Sequence, residues 1–262
     1  MSITVATFNI WFDKYYIFER TNKIILEILQ TKPRISVIAL QEVTPSIFNF
    51  IKASLISEYY NFSITEINQQ YDTIILVDKN FKINKHIKNR FSHTMMARNI
   101  EFVSITHLKT KTHFLVGTSH LESEFNNIKD QINRYKIDQF TEAFTVLENF
   151  SKESILDYNM IVFMGDTNIS NDESKMFEEK IPSGWNDFFI EFGSPKHLEF
   201  TYDHTKNNNT YFKSRSRLDR IYYKNLKNTM EPYTFSFMGQ EPVNGYLFLS
   251  DHFGVVACFS EI

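Results

Sequence analysis

Six short apolar runs in this chain break at polar residues, and this constrains the fold more than any other feature. "TVATFN" ends in Asn9, and "VIALQE" ends in Gln41-Glu42. "LVGTSHLES" leaves its run at Ser119-His120, and "IVFMGDTN" ends at Asp166 and Asn168. "SRLDRIYY" carries Asp219 inside an aromatic run, and "YLFLSDHFGVVACF" sets Asp251-His252 where a loop enters the last run. Runs this short, bounded by turn residues, are strands. Carboxylates, amides and imidazoles at strand ends mark the rim on which α/β folds build their sites.

Between these runs the pattern alternates with helical stripes. The spacing predicts strands over 3–9, 37–40, 61–66, 73–77, 82–88, 100–107, 112–119 and 162–164, with 165–170 as a loop. Later strands are predicted over 200–202, 218–223, 233–237 and 254–259. Apolar positions Phe18, Ile24, Ile25, Leu26, Ile28 and Leu29 predict a helix over 16–30. Thr44-Pro45 is an N-cap followed by a first-turn proline, so a helix is expected over 45–57. A long helix is expected over 128–150 and a short one over 185–189. Two facing sheets with helical covers satisfy this order, as a layered α/β sandwich. No linker and no repeat divides the chain, so residues 1–262 read as one domain.

Charge and composition narrow the function. A net charge of -3 and a pI of about 6.3 exclude a general nucleic-acid coat, so contact with a polyanion needs a local basic patch or a bound cation. The lone Cys258 permits no internal disulfide or zinc cluster, which fits a reducing compartment. "MSITVATFNIWF" lacks a secretory pattern, and no apolar run reaches spanning length. A soluble intracellular protein, nuclear or cytoplasmic and not secreted, is expected.

Any one of the polar residues is also an ordinary turn former or a surface group. Together they carry a chemistry. Hard divalent cations take carboxylate and amide oxygens, which Glu42, Asn9 and Asp251 offer. Phosphoester hydrolysis needs such a cation, a group that activates water and donors for the charge on phosphorus. Asp166 offers the base, and Asn168, His120 and His252 the donors. Ser250-Asp251-His252 is no relay triad, because neighbours on an extended segment point to opposite faces.

The ordered set T-F-N (7–9), L-Q-E-V (40–43), S-H-L-E-S (119–123), G-D-T-N (165–168), R-L-D-R-I (217–221) and S-D-H-F-G (250–254) resembles the endonuclease/exonuclease/phosphatase superfamily over nearly the whole chain. "MMARN" (95–99), G-S-P-K-H (193–197) and T-Y-D (201–203) make it more similar to the tyrosyl-DNA phosphodiesterase 2 branch. The resemblance implies a four-layered, DNase I-like sandwich of mixed sheets. It implies a Mg²⁺-dependent phosphodiesterase, with Mn²⁺ as a substitute. The implied substrate is a single-stranded or 5′-overhang DNA end carrying a tyrosyl adduct, such as a trapped topoisomerase II. A monomer acting away from membranes is expected.

The resemblance also implies roles. Glu42 would hold the metal, Asn9 a metal-bound water, and Asp251 would stand near the metal. Asp166 would orient or deprotonate the attacking water, with Asn168 holding that water and the phosphate. His120, Ser123 and His252 would donate to phosphate oxygens, and Asp219 would sit behind His252. Tyr71, Tyr202 and Leu218 would line the groove, or pack in the core. Lys213, Arg215 and Arg217 of the basic segment 204–217 would contact phosphates.

The chain departs from the branch at Glu124-Phe125 and at Ile169-Ser170, where arginines are frequent. The ubiquitin-binding segment of larger relatives is expected to be missing. The competing expectations are another superfamily phosphoesterase (abasic-site endonuclease, deadenylase, sphingomyelinase or inositol phosphatase), hydrolysis of a protein–RNA tyrosyl link, and a non-catalytic binding module. "FKSRSRLD" lacks the glycine and aromatic residue that abasic endonucleases carry ahead of R-x-D.

Overall fold

The computed structural model of the protein describes residues 2–123 and 129–262. Two six-stranded sheets face each other. The first contains β1 (Ser2–Asn9), β2 (Val37–Val43), β3 (Tyr60–Phe62), β4 (Asp72–Asp78), β13 (Met230–Met238) and β14 (Gly254–Glu261), in the order β13-β14-β1-β2-β4-β3. The second contains β5 (Phe81–Arg90), β6 (Asn99–His107), β7 (His113–His120), β8 (Met160–Asp166), β9 (Asn186–Asp187) and β12 (Asp219–Asn225), in the order β5-β6-β7-β8-β12-β9. A small ribbon pairs β10 (Tyr202–Asp203) with β11 (Arg215–Ser216).

Each sheet is antiparallel except at one pair. β1 and β2 run parallel, as do β7 and β8. Parallel neighbours need a crossover, supplied here by α1 (Ile17–Gln30) and α3 (Lys129–Glu153). The paired strands therefore end side by side, with Asn9 opposite Gln41 in one sheet and His120 opposite Asp166 in the other. This repeated device brings four polar strand ends to one rim.

Three apolar layers fix the sandwich. Ile3, Val5, Ala39 and Ile75 meet Val103, Val116, Val162 and Ile221 between the sheets. Ile24, Ile25 and Ile28 of α1, with Ile47, Phe48 and Ile51 of α2 (Pro45–Ala53), cover the first sheet on Phe8, Ile38 and Leu40. Phe140, Phe144 and Leu147 of α3 cover the second on Leu115, Ile161 and Phe163. Each such side chain contributes about 1.5–3 kcal/mol by leaving water. Burial on both faces explains why β2 and β8 open as continuous apolar runs.

Four expectations shift. The helix from Pro45 stops at Ala53, and Ser54 caps a separate 3-10 turn, Leu55–Glu58, through Ile56 N. The strand expected over 61–66 ends at Phe62. The segment 185–189 is split, since Asn186–Asp187 pairs with β12 and Asp187 caps the short helix α4′s successor α5 (Phe188–Glu191), α4 being Ser174–Glu178. Gly165 and Asp166 belong to β8 and not to a loop. Gly165 is required by close approach: a Cβ there would collide with the Ser119 carbonyl of β7. No helix among the described residues is long and apolar enough to cross a membrane.

Candidate active site

Asp166 is the centre of the polar rim. It is buried at the end of β8, and its Oδ2 accepts the side-chain N–H of Asn9 at 2.8 Å. The same oxygen lies 3.4 Å from His120 Nε2 and 3.9 Å from His252 Nε2. Its Oδ1 accepts the Asn168 backbone N–H at 3.0 Å. Burial pushes this carboxyl up, but the charged His252, the Asn9 side chain and the Asn168 N–H outweigh it and hold the group below the usual carboxylate range.

His252 Nδ1 donates to Asp219 Oδ2 at 2.8 Å. Burial opposes charge on the ring, yet Asp219, Asp166 and Asp251 prevail and hold the imidazolium well above the usual histidine range. Asp219 itself is raised to about 6 by burial, against the pull of His252. At neutral pH the pair is His252⁺–Asp219⁻. Thr201 supports it from behind, its Oγ1 accepting the backbone N–H groups of Leu218 and Asp219.

His120 is the opposite case. Burial, then the Arg98 guanidinium, lowers it to about 3, so the ring is neutral. Arg98 Nη2 lies 3.2 Å from His120 Nε2, and arginine can only donate. Nε2 therefore accepts and the proton sits on Nδ1, a buried atom with no partner among the described residues. His120 thus presents no Nε2–H donor toward Asp166, and the donor aimed past it is Arg98.

Glu42 follows a register shift in β2 and holds φ 61°, a left-handed conformation uncommon for this residue type. The twist turns its carboxylate to the rim, where Oε1 accepts from Asn9 Nδ2 at 3.1 Å and Oε2 from Phe12 N at 3.1 Å. Burial and the neighbouring Asp251 raise this carboxyl to about 7. Asp251 is also raised, by burial first. Arg20 is buried nearby, but it donates to the carbonyls of Ile10, Trp11, Asp13, Tyr15 and Leu249. Glu42 and Asp251 are therefore two close carboxyls with no bonded cationic side chain among the described residues, a donor set that fits a divalent cation. Asp166, Asp219 and His252 also lie within ligand distance of one another. The protonated His252 already neutralises that group, so it fits a metal less well.

Several expected roles change on this geometry. Asn9 turns its amide N–H, not its oxygen, to the carboxylates, because Oδ1 accepts from Trp11 N. Asn168, at φ 51°, donates its side-chain N–H to the Leu121 carbonyl. Arg217 does not offer a free cation: it is buried, pairs with Asp187 at 2.8 Å and lies over Phe189. Arg215 pairs with Asp203 at 3.1 Å and lies over Phe200. Lys213 is exposed, with no ion pair among the described residues. Tyr202 packs edge-on to His252 and is 5% exposed, so it is core more than groove lining. Leu218 is half-buried, and its carbonyl accepts from Thr167.

Glu42, Ser123, Phe12, Tyr71, Met96 and Arg98 line an open groove of about 510 Å³ beside the rim. Arg98 and Phe12 had no motif of their own to mark them, although Arg98 lies within "MMARN". Ser170, at a position where arginine was expected, gives its N–H and hydroxyl to Glu173 Oε2. The buried Lys136 bridges that oxygen and the Asn168 carbonyl, each at 2.8 Å. The loop after Asp166 is thus pinned from α3. The Glu124-Phe125 position lies outside the described residues.

The sequence matches the family model described as "Endonuclease/Exonuclease/phosphatase family" over residues 6–252. It is 29% identical to rat tyrosyl-DNA phosphodiesterase 2 over 231 residues, 86% of this chain and 58% of that protein. It is 30% identical to the 5′-tyrosyl-DNA phosphodiesterase of Caenorhabditis briggsae over 198 residues, 74% of this chain and 51% of that protein. The chain therefore spans between half and three fifths of the length of these relatives. Its fold superposes on the crystal structure of D. rerio TDP2 complexed with single-strand DNA product, with a TM-score of 0.83, 24% identity and 99% of each chain covered. The match over residues 6–252, on a sandwich whose strand ends carry the rim described above, shows that this chain belongs to the endonuclease/exonuclease/phosphatase family.

Proposed function

We propose that the chain hydrolyses the phosphodiester between a tyrosine and a DNA 5′ end, with Mg²⁺ bound at Glu42 and Asp251. The observation that carries this is Asp166, held ionised by His252 and by the Asn9 amide that also donates to Glu42. The named activity of the relatives, tyrosyl-DNA phosphodiesterase, supports the choice of bond.

A bound divalent cation would supply charge neutralisation at the phosphoryl oxygens. The chain's own groups do the rest. Asp166 accepts a hydrogen of the attacking water and aims its oxygen at phosphorus. The His252 imidazolium and the Arg98 guanidinium donate to the non-bridging oxygens, where charge grows. One P–O bond forms to water and the P–O bond to tyrosine breaks, leaving a 5′ phosphate. The leaving phenol has a pKa of about 10, so it departs readily as phenolate. Asp219 acts through His252, keeping its ring charged and oriented.

A substrate panel with Mg²⁺ tests this reading: a 5′-tyrosyl oligonucleotide, a 3′-tyrosyl oligonucleotide, an abasic duplex, poly(A) RNA and a 5′-tyrosyl RNA. Fast release from the 5′-tyrosyl DNA strand is expected. Equal turnover of the abasic duplex overturns it, and faster turnover of the RNA adduct reassigns the substrate.

A further inference from the structure

An aromatic recess of about 780 Å³ adjoins the groove, and the hydrolytic rim does not use it. Phe12, Tyr15, Tyr16, Ile17, Phe18 and Tyr71 form its apolar lining. Phe12, Tyr15, Tyr16 and Phe18 are each 40–52% exposed, a contiguous aromatic surface of the kind that binds partners. It is not a loose loop. Trp11 and Tyr16 hold left-handed φ values of 59° and 48°, and the buried Arg20 ties the carbonyls of Ile10, Trp11, Asp13 and Tyr15 together. Phe12 joins recess to groove: its ring stacks on Tyr71 at 5.0 Å and its N–H donates to Glu42. Phe12, Gln70 and Tyr71 line both cavities.

We propose that this recess seats the polypeptide attached to the departing tyrosine, by taking an apolar side chain that flanks it. The inference rests on the reading that the scissile bond joins tyrosine to DNA. Such a substrate has two unlike halves, a polyanionic strand and an uncharged polypeptide. The recess matches the second, because its charged lining side chains, Lys14 and Glu19, cancel. The segment 204–217, whose Lys206 and Lys213 have no acidic partner among the described residues, lies elsewhere on the rim. It is fixed to the Phe248 and Ser250 carbonyls by Asn207 and Asn209, next to His252. The strand therefore leaves the centre toward the basic segment, and the polypeptide leaves it over Phe12. A preformed recess binds without an ordering cost, which favours affinity.

Binding measured in EDTA tests this without turnover. The probes are oligonucleotides bearing at the 5′ end a 5′ phosphate alone, a single tyrosine, a tyrosine flanked by leucine and phenylalanine, or a tyrosine flanked by serines. Burying one large apolar side chain is expected to tighten binding of the Leu/Phe probe about tenfold over the single tyrosine. The Tyr15→Ser and Phe18→Ser variants, singly and together, are expected to lose that margin. They should keep the wild-type affinity for the single-tyrosine probe and the wild-type rate on it. Absence of the margin in the wild type overturns the proposal. So does a loss, in these variants, of affinity that grows with oligonucleotide length, which would make the recess a base-stacking surface. Failure of the catalytic reading registers separately, as absence of tyrosine release when Mg²⁺ is restored.

Discussion

His252 and Asp219 share one short hydrogen bond, Nδ1 to Oδ2 at 2.8 Å, and both side chains are buried. The carboxylate keeps the ring protonated against the cost of burial and fixes which nitrogen faces Asp166. Removing its charge separates the two effects. Asp219→Asn is expected to lower kcat about 10–100-fold, as loss of an orienting partner does. It should also add a basic limb to the pH–rate profile. The wild-type ring, held well above the ordinary histidine range by Asp219, Asp166 and Asp251, keeps its charge to higher pH. In the variant the ring loses its proton nearer the ordinary value of about 6.5. A pH profile parallel to wild type would remove Asp219 from this role.

Glu42 makes the protein's stability depend on pH and metal together. Its folded carboxyl, at about 7, lies above the unfolded value. Between the two values the folded chain holds a proton that the unfolded chain has released. Without metal, stability therefore falls as pH rises through that window and levels off above it. A divalent cation binds the ionised form, so Mg²⁺ is expected to raise Tm at pH 8 and to have little effect at pH 5. Melting curves at both pH values, with and without Mg²⁺, measure this. Equal stabilisation at the two pH values, or an undiminished effect in Glu42→Gln, contradicts it.

Arg217 is expected to behave as a structural residue. Its partner Asp187 is buried and would keep only the more distant Arg220 at 3.9 Å, so Arg217→Ala should cost up to about 3–5 kcal/mol of folding stability. KM for a tyrosyl strand should stay near wild type at a temperature where the variant is folded. A raised KM with unchanged Tm would restore the phosphate-binding role that its sequence neighbourhood suggests.

The rim is legible from sequence because its residues fall where apolar runs break, at Asn9 and His120 and, two residues past the expected strand ends, at Glu42 and Asp166. What escaped was set by distant partners. The segment 204–217 reads as basic, but Asp187 and Asp203 neutralise two of its arginines, and neither pairing has a local signal. Arg98 precedes β6 as an isolated cation, and only the folded chain sets it against His120. The stripe from Phe18 to Leu29 reads as a helix over 16–30, but nothing in the sequence marks the aromatics before it as a surface. Left-handed Trp11 and Tyr16 instead delay the helix to Ile17 and leave the earlier aromatics exposed. Gly165 reads as a bend, whereas its reason is the Ser119 carbonyl in the neighbouring strand.

In the proposed reaction Asp166 directs the attacking water. Single-turnover release of tyrosine from a 5′-tyrosyl oligonucleotide, with saturating Mg²⁺ and wild type compared with Asp166→Asn, tests it most directly. The substitution keeps shape and removes the charge that accepts the water's hydrogen. The rate is expected to fall about thousandfold or more, the scale on which general-base catalysis and transition-state electrostatics act together, while the affinity for the strand stays within a few-fold. A rate for Asp166→Asn within tenfold of wild type would contradict the account.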